Sequence, residues 1–193
     1  KDPHDNYKYS QSYETLAAVI RQVCRHADPI RELERFFSSV CLSVMVRNGD
    51  AHLKNCGVTY THPAATETVQ LAPVYDVTTT TVYENYNPRT GRSLVDRTLA
   101  IKMNKAKAYP DRQQLIEFGR KHCAVDKPTL IVDRIAEAMS QALLIHRPRI
   151  DVELFARMQR EWDTGRMVAL NDSVGSGLKR HPLSSGRKEK ADK

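Results

Sequence analysis

Asn48-Gly49-Asp50-Ala51-His52-Leu53-Lys54-Asn55 is followed, after a polar stretch, by Leu71-Ala72-Pro73-Val74-Tyr75-Asp76. What precedes the first segment decides how it is held. Ile30, Leu33, Phe37, Val40, Cys41 and Val44 recur at the three- and four-residue intervals of a helix with one wide apolar stripe. Asp28 supplies an N-cap, and Pro29 stands in the first turn, where a missing N–H costs nothing. The pattern predicts a buried helical spine over residues 29–46. The helical period stops at Arg47, and residues 47–55 read as a polar loop launched from that rigid element, a common setting for chemically active side chains. Two short strands are predicted next, at 57–61 and 69–72, joined by polar residues 62–68. Such a hairpin carries Asp76 back toward Asp50.

The pattern continues outward on both sides. Leu16, Val19, Ile20 and Val23 fall at i, i+3, i+4 and i+7 and predict an amphipathic helix over 15–26, after a polar lead-in. Residues 84–97, rich in Asn, Arg, Gly and Pro, read as a loop, and Leu99, Ile101 and Met103 then alternate as one strand would. Asp111 caps a helix ending near 122, and Pro128 opens a longer one with Leu130, Ile131, Ile135, Ala138, Met139, Ala142 and Leu143 on its apolar face. A last helix over 151–170 holds Leu154, Phe155, Met158, Trp162 and Met167; its Trp reads as core or interface. Beyond it the chain is rich in Ser, Gly and Lys, a composition expected to stay disordered. The resulting division is a lead-in (1–14), a mainly α lobe (15–170) and a basic tail (171–193). The lobe is expected to be a helical bundle with a small β-hairpin and one or two extra short strands.

The chain has 193 residues, enough for one domain or one lobe of a larger one. Hydrophobic residues make up 40 % and charged residues 27 %, a globular balance. No apolar run approaches the roughly 18 residues a membrane span needs, so no membrane partner is expected. The start lacks the apolar stretch and cleavage site of a signal peptide, which predicts a cytoplasmic protein. Cys24, Cys41, Cys56 and Cys123 are widely spaced without a CxxC pair, favouring free thiols over a disulfide frame or a zinc site. Net charge is +7, of which residues 171–193 supply +3, from six Lys/Arg and three acids. The lobe itself is only mildly basic.

An aspartate five residues before an asparagine, with a second aspartate after a hairpin, is the spacing of a phosphoryl-transfer site. In such a site Asp50 accepts a hydrogen bond from the attacking hydroxyl, while Asn55 and Asp76 ligate Mg²⁺ on the ATP phosphates. Lys54 is a candidate for contact with the transferred phosphate. His52 either positions a phosphate or braces the loop through backbone hydrogen bonds. The plainer reading makes Asn48-Gly49-Asp50 an ordinary turn and Asn55 a cap. The other histidines lack ligand spacing and read as surface residues. Val174-Gly175-Ser176-Gly177 imitates a phosphate-cradling loop, but no strand leads into it. Residues 78–81, just past Asp76, either accept phosphate as an activation segment would or form a β-prone run.

Taken together, Asn48 to Asn55, Leu71 to Asp76 and Leu99-Ala100-Ile101-Lys102-Met103-Asn104 resemble the C-terminal lobe of HipA-type serine/threonine kinases, the toxins of bacterial toxin–antitoxin pairs. Tyr7-Lys8-Tyr9 is similar to the segment where that lobe begins, and the likeness extends to about residue 165. The resemblance implies a helical lobe with a catalytic hairpin, Asp50 as catalytic aspartate, and Asn55 and Asp76 as Mg²⁺ ligands. It also implies a protein substrate phosphorylated on serine, such as a glutamyl-tRNA synthetase or another translation factor, and a HipB-type, DNA-binding antitoxin as partner.

The chain shows no counterpart to the N-terminal lobe that supplies such a kinase's phosphate-covering loop, regulatory serine and phosphate-gripping lysine. It is therefore expected to be a truncated or fragmentary kinase, or one piece of a split kinase completed by a separately encoded N-terminal lobe. Two other functions compete: a small-molecule phosphotransferase of the aminoglycoside-modifying kind, and an idle remnant that binds an antitoxin or DNA.

Overall fold

Residues 7–171 are described by the computed structural model of the chain. The basic tail and its glycine-containing segment lie outside the described residues from 172 onward. The helices are α1 (Tyr13–Val23), α2 (Pro29–Met45), α3 (Arg112–Lys121), α4 (Pro128–His146) and α5 (Val152–Leu170). Two antiparallel hairpins pair β1 (Val58–Thr59) with β2 (Gln70–Leu71) and β3 (Asn85–Asn87) with β4 (Arg92–Leu94). The fold is thus mainly α, as the sequence predicts. Among the described residues no helix is long and apolar enough to cross a membrane.

α2 is the spine. Asp28 caps it by accepting the Arg31 N–H at 3.0 Å, and Pro29 occupies its first turn. Leu33, Phe37, Val40, Cys41, Val44 and Met45 are at most 2 % exposed. Each such side chain contributes about 1.5–3 kcal/mol of burial. α2 packs against α1, α3, α4, α5 and β2, so one element organises the whole core. Phe118 of α3 meets Tyr13 and Phe36 edge to face, with ring centroids 6.4 and 6.3 Å apart. Opposite them, Gly165 of α5 comes so close to the end of α2 that an added Cβ would lie 2.0 Å from the Met45 carbonyl oxygen.

Local signals set the helix ends. Asp111 and Gln114 form a reciprocal capping box at α3, each side chain taking the other's N–H at 2.9 and 3.0 Å. Pro128 sits in the first turn of α4, and Asp151 caps α5 through the Glu153 and Leu154 N–H groups. α1 starts at Tyr13, two residues ahead of the expected Thr15, because Ser12 is its cap and Tyr13 is a core residue at 3 % exposure. It stops at Val23 rather than near His26, since the chain turns at Cys24. The four cysteines carry free thiols, and burial pushes the Cys123 thiol up to about 12.

Two expectations are corrected. Residues 84–97 are not simply a loop, because β3 and β4 form a hairpin whose Asn87 carbonyl accepts the Thr90 and Gly91 N–H groups, with Gly91 at φ +64°. Its strand residues are all exposed, so no alternation marks them. Conversely, Leu99, Ile101 and Met103 do not form a strand. Leu99, Ala100, Ile101 and Met103 are all buried in an irregular turn, closed by paired Met103–Ala106 backbone bonds and the left-handed Asn104 and Lys105. The carbonyl of Lys102 then anchors the start of α1 by accepting the Tyr13 N–H at 3.0 Å.

Candidate active site

The loop after α2 begins with a sharp change of direction. Arg47 adopts φ +60°, a left-handed conformation that costs a non-glycine residue about 1 kcal/mol. Its carbonyl accepts both the backbone N–H and the hydroxyl of Thr80, at 3.2 and 3.1 Å. The same Thr80 hydroxyl accepts the Gly49 N–H at 2.7 Å. The segment just past Asp76 therefore clamps the loop that carries Asp50. An added Cβ on Gly49 would lie 2.7 Å from the Thr98 carbonyl and 2.9 Å from the Thr80 hydroxyl, so the close approach requires glycine.

Asn48 joins the two acidic segments. Its side chain is buried at 2 % exposure; Oδ1 accepts the Asp50 N–H at 3.0 Å and Nδ2 donates to the Asp76 carbonyl at 3.3 Å. Sequence reasoning read this residue as part of a turn and missed its role. Nothing in residues 48–50 reveals a partner twenty-eight positions away.

Asn55 closes the 3₁₀ turn Leu53–Asn55. Its Oδ1 accepts the His52 backbone N–H at 2.9 Å, and its Nδ2 donates to Asp76 Oδ2 at 2.7 Å. These hydrogen bonds fix which way the carboxamide points. Asp76 is exposed and sits at φ +58°, a conformation that aspartate tolerates better than most residues. The neighbouring Tyr75 hydroxyl donates to the Lys54 carbonyl at 2.6 Å and ties the second segment to the turn a second time. Lys54 itself is exposed on that turn. The bond from His52 to Asn55 comes from its backbone N–H, while its imidazole Nδ1 is buried without a hydrogen-bond partner among the described residues, so this geometry assigns the side chain neither of the two roles considered for it. A cavity of about 60 Å³ lies beneath, with Asn48, His52, Asn55 and Asp76 in its wall and Tyr13 and Phe36 among its apolar lining.

Asp50 is exposed and accepts the Tyr9 hydroxyl on Oδ1 at 2.9 Å. Tyr9 also lies edge-on to His52, with ring centroids 5.4 Å apart. The lead-in segment is thus part of the site, which its polar composition gave no means of foreseeing.

Behind the loop lies a supporting cluster. The buried Arg47 guanidinium stacks over Tyr109 at 4.6 Å, and burial lowers its pKa while pushing the Tyr109 phenol up to about 12. Arg97 pairs with Glu161 through two 2.7 Å bonds. Burial alone would raise the Glu161 carboxyl, but the Arg97 hydrogen bond and charge bring it below its ordinary value. Trp162 Nε1 donates to the buried Thr79 hydroxyl at 2.7 Å, fixing the segment after Asp76 against α5.

The donor set suits a hard divalent cation. Asn55 Oδ1 and the Asp76 carboxylate are oxygen donors on neighbouring side chains, but Asn55 turns its Nδ2 to Asp76 here, so the two would ligate one cation only once that 2.7 Å bond opens. Mg²⁺ commonly takes one or two protein oxygens and completes its octahedron with phosphate and water. Among the described residues no group of three or more His, Cys, Asp or Glu side chains is arranged to hold a metal by itself.

A helical lobe whose central helix launches an Asp–Asn loop toward an Asp-bearing hairpin defines the architecture. The chain belongs to the family of HipA-like C-terminal domains, whose profile matches residues 1–143. Among solved structures it is similar to Shewanella oneidensis MR-1 HipA in complex with HipB and operator DNA. That match has a TM-score of 0.61 at 16 % identity, over 82 % of this chain and 35 % of the other, so the chain spans about a third of that protein's length. The likeness is one of fold. Comparison with curated proteins gives no significant match.

Proposed function

We propose that this lobe is the catalytic half of a HipA-like serine/threonine protein kinase, working with Mg-ATP in the cytoplasm on a serine of a protein target. The observation that carries the reading is the Asn48 amide, which holds the backbones of Asp50 and Asp76 in one unit while Asn55 bonds the Asp76 carboxylate at 2.7 Å. When bound, Mg-ATP supplies the phosphoryl group and neutralises its charge. Asp50 then orients the acceptor hydroxyl and takes its proton, work of the kind that contributes about 10²–10⁴-fold to a rate. Asn55 and Asp76 would hold the cation, and the exposed Lys54 would offer a positive charge to the phosphate groups. The His52 backbone N–H keeps the Asn55 carboxamide oriented. Positioning and charge neutralisation lower most of the barrier to phosphoryl transfer, and a pre-tied loop suits that task.

The partners follow from the same reading. A separately encoded or contiguous N-terminal lobe supplies the grip on the nucleotide. A HipB-type antitoxin, and operator DNA through it, fits the family; the similar Shewanella protein is itself in such a complex. The resemblance favours a translation factor such as a glutamyl-tRNA synthetase as target.

The test mixes the protein with Mg-ATP and a cell extract, with and without a supplied N-terminal lobe, and maps phosphate by mass spectrometry. Protein phosphoserine that disappears in Asp50→Asn and Asp76→Asn, with unchanged circular dichroism, is the expected result. Phosphorylation of an aminoglycoside alone would transfer the reading to a small-molecule enzyme. Absence of transfer under every condition would leave an interaction module.

A further inference from the structure

Tyr9 belongs to a short turn at residues 7–9, four positions before the core residue Tyr13. That segment is moored by the Tyr13 N–H to the Lys102 carbonyl and by the bridge between Ser12 and Lys102. The half-buried Tyr9 side chain is held from three sides. His52 meets its ring at 5.4 Å and 70°, and the Lys8 and Lys107 ammonium groups lie 4.9 and 5.9 Å from its centroid. Its hydroxyl donates to Asp50 Oδ1 at 2.9 Å. Burial, followed by the Asp50 hydrogen bond, raises the phenol pKa, so the group stays a donor at neutral pH.

A carboxylate on an exposed aspartate turns about its last torsion, and its two oxygens exchange places. Anchoring one oxygen gives the other a fixed direction. An acceptor hydroxyl that must be in line with a phosphoryl group gains from that, because small misplacements cost large factors in rate. Orientation of a base by a third group is a recurring device in enzymes.

We propose that Tyr9 is a positioning residue for Asp50, holding Oδ1 of the carboxylate so that Oδ2 receives the acceptor hydroxyl. This rests on the reading of Asp50 as the acceptor-orienting aspartate. The rival role has the opposite sign: a phenol that merely fills the acceptor's place would obstruct the site, and its removal would speed transfer.

The experiment measures steady-state phosphoryl transfer by the complete protein carrying this chain, in the wild type and in Asp50→Asn, Tyr9→Phe and a variant with 3-fluorotyrosine at position 9. Tyr9→Phe keeps the ring and its contacts but deletes the donor; kcat is expected to fall by about 10- to 100-fold while both KM values and the thermal midpoint hold. The fluorinated residue retains the hydroxyl and is expected to restore kcat to within about threefold. An unchanged or raised kcat in Tyr9→Phe, or a loss confined to KM or to the thermal midpoint, overturns the assignment while leaving the kinase reading intact. Full activity in Asp50→Asn, or none in the wild type, overturns the kinase reading itself and this inference with it.

Discussion

The Glu32 carboxylate, fully buried in the first turn of α2, accepts the backbone N–H of Leu71 at 2.8 Å. Arg35 and Arg31 hold the same carboxylate at 2.7 and 3.1 Å. Leu71 is the inner residue of β2, five positions before Asp76, so the spine grips the hairpin by a charge-assisted bond where the two meet. Glu32→Ala would leave a buried N–H without an acceptor and two arginines without their counter-charge. A loss of about 2 kcal/mol of stability is expected, mostly from the orphaned Leu71 N–H because Arg31 and Arg35 are 61 % and 40 % exposed, and it should exceed that of Glu32→Gln. Urea unfolding measures it, and faster hydrogen exchange at the Leu71 amide would locate the damage in the hairpin.

Asn48 couples Asp50 to Asp76 through both ends of one amide. Asn48→Ala removes two hydrogen bonds at a buried position, and a stability loss of about 2 kcal/mol is expected. Transfer should fall by about 100-fold, because the acidic segments lose their common tie. Asn48→Asp retains an acceptor for the Asp50 N–H but sets a carboxylate against the Asp76 carbonyl. It should be at least as damaging as alanine in both denaturation and transfer assays, and a milder effect would show that the tie is dispensable.

How much could be read beforehand follows from where each signal resides. α2 was legible because its burial is one-sided and its cap and proline lie in sequence beside it. The hairpin at β3 and β4 was not, since both faces are exposed and an exposed strand pair carries no apolar alternation. The stretch 99–103 misled for the opposite reason: with Ala100 buried beside its apolar neighbours, the side chains do not divide between two faces. At the site, Asp50, Asn55 and Asp76 were marked by their own chemistry and spacing. Asn48, Thr80 and Tyr9 were not, because each acts through a partner 28 to 41 positions away that only the folded chain brings near.

Arg97 and Glu161 give the lobe an acid-sensitive brace near Arg47, at the start of the loop that carries Asp50. The Glu161 carboxyl lies below its ordinary value of 4.5 in the folded chain. Its stabilising effect is therefore complete above about pH 4.5 and is lost as pH falls through the lower, folded-state value. Arg97 is half exposed, so the pair is worth about 1 kcal/mol or less. The thermal midpoint of the wild type should drop more steeply than that of Glu161→Gln as pH is lowered from 5 to 3, with the two curves converging at the acid end. Parallel curves would deny the pair this role.

Gly49 and Gly165 both sit where a Cβ has no room, yet their substitution should have different consequences. At Gly165 the obstacle is the Met45 backbone, 2.0 Å from the would-be Cβ, and two core helices would have to separate. Gly165→Ala is expected to cost more than about 3 kcal/mol or to prevent folding. At Gly49 the obstacles are the Thr98 backbone carbonyl at 2.7 Å and the Thr80 hydroxyl at 2.9 Å, a smaller overlap, but one that still requires a neighbour to shift. Gly49→Ala should cost only about 1–2 kcal/mol. The displacement falls on the residue next to Asp50, however, and breaks the Thr80 clamp. Transfer should drop by about 100-fold in a protein that still melts cooperatively. A Gly49→Ala protein with wild-type turnover would show that the clamp between Thr80 and the loop does not set the position of Asp50.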